Sequence, residues 1–121
     1  MKQRIRFIIN PISGVGRKGN IPLLIEKYID ANKFDYDIAY TEYHKHAKQI
    51  AFDSVLEGFD IVCAVGGDGS VHEVGTALIG TKTKLAILPA GSGNGLARHL
   101  KIPLNISKAI QSINHLYEIQ M

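Results

Sequence analysis

Asp68 has the setting that points most clearly to chemistry. It lies within Gly66-Gly67-Asp68-Gly69-Ser70-Val71-His72-Glu73-Val74, directly after the apolar run Ile61-Val62-Cys63-Ala64-Val65. Such a run, rich in β-branched residues, suits a strand buried on both faces of a parallel sheet. Val71, Val74, Gly75 and Leu78 then recur at helical spacing, so a helix is predicted to begin where the glycines stop. Strand, glycine turn and helix in succession aim backbone N–H groups and the positive end of a helix dipole at one point, which suits phosphate. A carboxylate would repel phosphate there unless it helps hold a metal, accepts a proton or binds a hydroxyl. The competing reading is structural: Asp68 would cap the helix, and Ser70 with Glu73 would form a Ser-x-x-Glu capping box.

Two more glycine loops follow predicted strands. Ile5 to Ile9 ends at Asn10-Pro11, where proline cannot continue a ladder, and Ile12-Ser13-Gly14-Val15-Gly16-Arg17-Lys18-Gly19 comes next. Gly14, Gly16 and Gly19 spell G-x-G-x-x-G, but four residues separate the strand from the first glycine. The following helix is also expected to start later, with Asn20 as its cap and Pro22 in its first turn. A dinucleotide fingerprint therefore fits less well than a loop folding over phosphates, with Arg17 and Lys18 either near them or simply solvated. The third loop, Pro89-Ala90-Gly91-Ser92-Gly93-Asn94-Gly95, follows the apolar strand Leu85 to Leu88. Three such loops at the carboxyl ends of strands mark the place where open parallel sheets bind ligands. The sequence has no G-x-x-x-x-G-K-[ST] and no serine elbow with an ordered acid and histidine. His72 and His99 could approach a phosphate or lie on helix surfaces. His44 and His46 make a poor zinc pair.

The remaining pattern supplies the scaffold. Ile21, Leu24, Ile25, Tyr28 and Ile29 mark one helix; Ala47, Ile50, Ala51 and Val55 mark another, stopped by Gly58; Ile106, Ala109, Ile110 and Ile113 mark a last one. Phe34 to Tyr40 alternates as a strand with one wetter face. Tyr117, Ile119 and Met121 alternate as though a further strand were beginning, so the chain is expected to be part of a longer protein.

At 121 residues the chain is one domain, short for an enzyme that must hold two substrates. A formal net charge of +3, without a block of lysine and arginine, fits an anionic ligand or surface and does not argue for nucleic acid. Cys63, the single cysteine, is expected to be a buried core residue, as suits a reducing cytoplasm. No apolar run is long enough to span a bilayer, so any membrane contact is expected to be peripheral, at the inner face.

The ordered set NPISG, GGDGSVHEV and LPAGSGNGLAR resembles the catalytic domain of the diacylglycerol kinase and sphingosine kinase family, relatives of NAD kinase and 6-phosphofructokinase. The resemblance covers essentially residues 1–121. It implies an α/β fold, a three-layer Rossmann-like parallel sheet with helices on both faces, forming the ATP-binding N-terminal lobe of a lipid kinase. Carried over by position, Asn10, Pro11, Ile12, Ser13 and Gly14 would line the nucleotide pocket with Thr41. Gly66, Gly67, Asp68, Gly69, Ser70, Val71 and His72 would wrap the phosphates, and Gly91, Ser92, Gly93 and Asn94 would complete the site. Asp68 would orient Mg-ATP or take the proton of a lipid hydroxyl, with Glu73 in support; no dedicated metal ligands are implied. ATP and Mg2+ are the implied cofactors and a diacylglycerol-like or sphingoid-like lipid the implied acceptor. Gly95, where bacterial diacylglycerol kinases usually carry an acid, and Ser70, where threonine is commoner, leave the acceptor lipid open. The family's second, β-rich lobe, with further acidic residues, is absent, so the lobe alone is expected to catalyse little and could self-associate, for example as a homodimer. Alternatives are an NAD kinase-like enzyme and a nucleotide-binding regulatory module without catalysis.

Overall fold

A computed structural model describes residues 2–11, 21–43, 45–89 and 106–116. Strands β1 (Gln3–Ile9), β2 (Phe34–Tyr40), β3 (Ile61–Gly66) and β4 (Lys84–Pro89) alternate with helices α1 (Ile21–Tyr28), α2 (His46–Leu56), α3 (Asp68–Leu78) and α4 (Ile106–Leu116). The strands form one parallel sheet in the order β2-β1-β3-β4. The predicted α/β layering is therefore present.

The period-two geometry of strands divides the core into two layers. Ile5, Phe7 and Ile9 of β1 and Ile61, Cys63 and Val65 of β3 face Ile21 and Ile25 of α1 and Ala109, Ile110 and Ile113 of α4. Their neighbours Ile8, Val62, Ala64 and Ile87 face Ala47, Ile50 and Ala51 of α2 and Val71, Val74, Ala77 and Leu78 of α3. All of β3 is buried, as its unbroken apolar run requires. Cys63 is one of these core residues, and burial pushes its thiol pKa far up, leaving it protonated and a poor nucleophile. As an edge strand, β2 is wetter than its alternation implies: Phe34 is buried, whereas Tyr36 and Tyr40 are exposed.

Gly58 ends α2 as expected. At φ +83° it lies in the left-handed region, its N–H donates to the Val55 carbonyl, and the Phe59 N–H donates to the Ser54 carbonyl. This six-to-one and five-to-two pair of bonds is the Schellman ending, which a residue with a Cβ adopts only at a cost. The expected Asn20 cap, the first glycine loop (12–19), the third beyond Pro89 and the strand beginning at Tyr117 lie outside the described residues.

The strand order creates a crevice. From β1 the chain runs outward to β2, then crosses back past β1 to form β3 and continues to β4. Right-handed crossovers therefore place α1 on one face and α2 and α3 on the other. The direction reverses between β1 and β3, so the connections leaving their carboxyl ends diverge there. Asn10 and Gly67 are the first residues beyond those two ends.

Candidate functional site

Asn10 follows β1, Thr41 follows β2, and Gly66 closes β3. The Thr41 N–H donates to the Ile9 carbonyl at 2.9 Å, binding the start of the β2–α2 loop to the end of β1. These connections enclose a small polar cavity of about 70 Å³ lined by Asn10, Thr41, Tyr43, Lys45, His46, Ala47, Ser70 and Glu73. The structure thus brings together four of the sequence-derived candidates, Asn10, Thr41, Ser70 and Glu73.

The capping explanations for Asp68, Ser70 and Glu73 do not hold. Helix α3 begins at Asp68, three residues before the apolar stripe, and its N-cap is Gly67, with no side-chain capping hydrogen bond. Asp68 is thus the first helical residue, where its charge suits the dipole, and Ser70 and Glu73 lie too deep in the helix to form a capping box. Glu73 Oε1 is instead buried without a hydrogen-bond partner, in a residue that lines the polar cavity. A carboxylate oxygen removed from water and left unpaired costs free energy and calls for a donor.

The glycines of the turn differ in what they do. A Cβ at Gly66 would lie 2.8 Å from Ser70 Oγ and 3.1 Å from Ser70 Cβ, so the missing side chain lets Ser70 fold over the strand end. At Gly67 and Gly69 an added Cβ would meet nothing within 4 Å. Packing therefore explains Gly66, whereas the other two leave backbone open to whatever enters from outside.

Asp68 and His72 are exposed and border a separate cleft of about 510 Å³, shared with Val71, Gly75, Thr76, Ile79 and Leu85. The Val71 side chain is only 2% exposed and packs into the core, so what it offers the turn is backbone. Pro11 is exposed just past β1. Ile12, Ser13, Gly14, Gly91, Ser92, Gly93 and Asn94 lie outside the described residues.

Sequence reasoning missed the role of the β2–α2 loop in this cavity. Tyr43, Lys45 and His46 form part of the wall, with the Tyr43 and His46 rings stacked at 4.1 Å and 14°. Lys45 adopts φ 68°, a left-handed conformation rare for lysine and the only positive φ at a described non-glycine residue. The available signal was position: any loop at the carboxyl end of a strand beside the reversal point borders the crevice.

A parallel α/β lobe with a glycine turn at its switch point belongs to the class of open α/β sheets that bind ligands beyond the carboxyl ends of their strands. Comparison with known proteins narrows it. Residues 4–121 match the family model described as the diacylglycerol kinase catalytic domain. The chain belongs to that family. Sphingosine kinase B of Dictyostelium discoideum is 33% identical over 115 residues, spanning 89% of this chain and 15% of the relative. Diacylglycerol kinase of Staphylococcus saprophyticus is 34% identical over 116 residues, spanning 93% of this chain and 38% of the relative. The crystal structure of a diacylglycerol kinase from Bacillus anthracis superposes with a TM-score of 0.80 at 27% identity, over 94% of this chain and 40% of that one. The chain thus spans two fifths or less of these relatives. Among the described residues, no helix is long and apolar enough to cross a membrane.

Proposed function

We propose that this chain is the nucleotide-binding lobe of a lipid kinase, which transfers the γ-phosphate of Mg-ATP to a lipid hydroxyl. The reading rests chiefly on the crevice between β1 and β3, where Asn10, Thr41, Ser70 and Glu73 line one cavity. A carboxylate residue lining a polar recess fits a hydroxyl or amino donor of a nucleotide, and the open backbone at Gly67 and Gly69 fits close approach of its phosphates.

Asp68 has two possible jobs at this turn. It can accept the proton of the lipid hydroxyl as that oxygen bonds to the γ-phosphorus and the bond to the bridging oxygen of the leaving ADP breaks. Alternatively, it can orient Mg-ATP. Base assistance contributes on the order of 10²–10⁴ in rate. Magnesium, when bound with the nucleotide, supplies neutralisation of phosphate charge. The acidic, exposed position of Asp68 at the first turn of α3 suits either role. Val71, Ile79 and Leu85 give the cleft beside Asp68 an apolar wall, which favours an amphiphilic acceptor over a dinucleotide. We read the lobe as working in the cytoplasm against the inner membrane face, with its acidic partner groups supplied by a second lobe.

The test has two parts. Thermal unfolding of the 121-residue chain is measured with Mg-ATP, Mg-ADP and NAD; at a hundred times its dissociation constant a ligand adds about 2.7 kcal/mol. The full-length protein is then given labelled ATP with diacylglycerol, sphingoid bases or NAD. Stabilisation by adenine nucleotides and a labelled lipid product are expected. Stabilisation by NAD alone, or labelling of NAD alone, would replace the lipid kinase reading with an NAD kinase-like one.

A further inference from the structure

The geometry points to His46 as a positioning residue: its Nδ1 accepts the Glu42 N–H and so pins Glu42 and Tyr43 to the start of α2, where Tyr43 and Lys45 form part of one wall of the cavity. That contact is 2.9 Å long. It has the form of a reversed cap, in which the first residue of α2 reaches back to a backbone donor four residues earlier.

Three observations make the pin necessary. Lys45, the N-cap of α2, makes no side-chain capping hydrogen bond and sits at φ 68°, so the loop holds a conformation that lysine does not favour by itself. Tyr43 is 61% exposed; its ring stacks on the His46 imidazole and its carbonyl accepts the His46 N–H at 3.1 Å, so its contacts with α2 run through His46. Thr41 is anchored to β1 through its N–H, and the Glu42 N–H and the Tyr43 carbonyl are both held from the α2 end by His46.

The bond also dictates a tautomer. An N–H donor can be accepted only by a ring nitrogen without a hydrogen, so His46 must be neutral with its proton on Nε2.

The effect on nucleotide binding rests on the function proposed above, but the pin can be tested without it. Long-range 1H–15N spectra of the 121-residue chain at pH 7.5 should give the Nε2–H tautomer for His46, and hydrogen exchange should find the Glu42 amide protected. In His46→Ala that protection should fall at least fivefold. His46→Asn, whose Oδ1 can accept the same N–H without titrating, should restore it. Mg-ATP affinity should fall about five- to tenfold in His46→Ala, the worth of one net hydrogen bond, and recover in His46→Asn. An Nδ1–H tautomer at pH 7.5, or unchanged Glu42 protection in His46→Ala, would overturn the pin. Absence of nucleotide binding in wild type would overturn the proposed function, with the tautomer and exchange results still deciding the role of His46.

Discussion

The two ends of the sheet are built on opposite terms. At the amino end the polar groups are tied together. The Arg4 N–H donates to Asp60 Oδ2 at 2.8 Å, Arg4 Nη1 donates to the Glu57 carbonyl, and Arg6 donates to Asp37, Ser54 and Glu57. Both guanidinium groups lie 4.2 Å from the centroid of Phe59, joining β1 to the segment that enters β3. At the carboxyl end a buried carboxylate oxygen lacks a partner, a lysine sits in a left-handed conformation, and the helix start has no side-chain cap. The amino end also carries a groove of about 510 Å³ along Phe59, Asp60 and Gly80 to Thr83, as large as the cleft beside Asp68 and larger than the cavity of about 70 Å³ at Glu73. Size is therefore a poor guide to the site. Unmet bonding capacity at the switch point is a better one, because a fold tolerates such costs where something else will offset them.

Substitutions can break this contrast. The largest effect is expected from Asp68→Asn in the full-length protein, with turnover falling about 10²–10⁴-fold if Asp68 is the base. Its unfolding midpoint should move little, since the carboxylate is exposed at the start of α3 and the amide keeps its shape. Near-normal turnover would remove Asp68 from the chemistry. At the amino end, Phe59→Ala should cost about 3–5 kcal/mol in denaturant unfolding, because it empties a buried position and uncovers both arginines. Nucleotide affinity of the fraction that remains folded should be unchanged.

Smaller changes should separate the glycines of the turn. Gly66→Ala should lose about 1–3 kcal/mol as Ser70 is displaced. Gly69→Ala, in the first turn of α3 with open space around it, should hold or raise stability by up to about 1 kcal/mol and yet weaken Mg-ATP binding. Equal losses of stability in the two variants would erase the distinction between a packing glycine and a ligand-facing one. The smallest effect belongs to Cys63: thiol reagents should not label the native chain, because the side chain is fully buried and its thiol is held protonated.

Much of this was legible in the sequence. Unbroken apolar runs marked β3 and β4, helical spacing marked the four described helices, and Gly58 marked the end of α2, because each signal is local and packing later agreed with it. The helix start at Asp68 was misplaced, since glycines read as loop while the turn they form is already helical. What stayed hidden depends on contacts between distant segments. Nothing near Glu73 in the chain says that its oxygen will be buried beside Lys45 and His46, and nothing in Glu42-Tyr43 says that the backbone there will be held by an imidazole. Strand order, which fixes the switch point between β1 and β3, is likewise a property of the whole sheet.

Amide chemical-shift mapping of the 121-residue chain during titration with Mg-ATP tests the central claim most directly. The account predicts that the largest shifts fall on Asn10, Thr41 and Gly66 to Glu73, while Arg4, Asp60 and Gly80 to Thr83 stay in place. Shifts concentrated in that second group, or none at either end at saturating nucleotide, would contradict it.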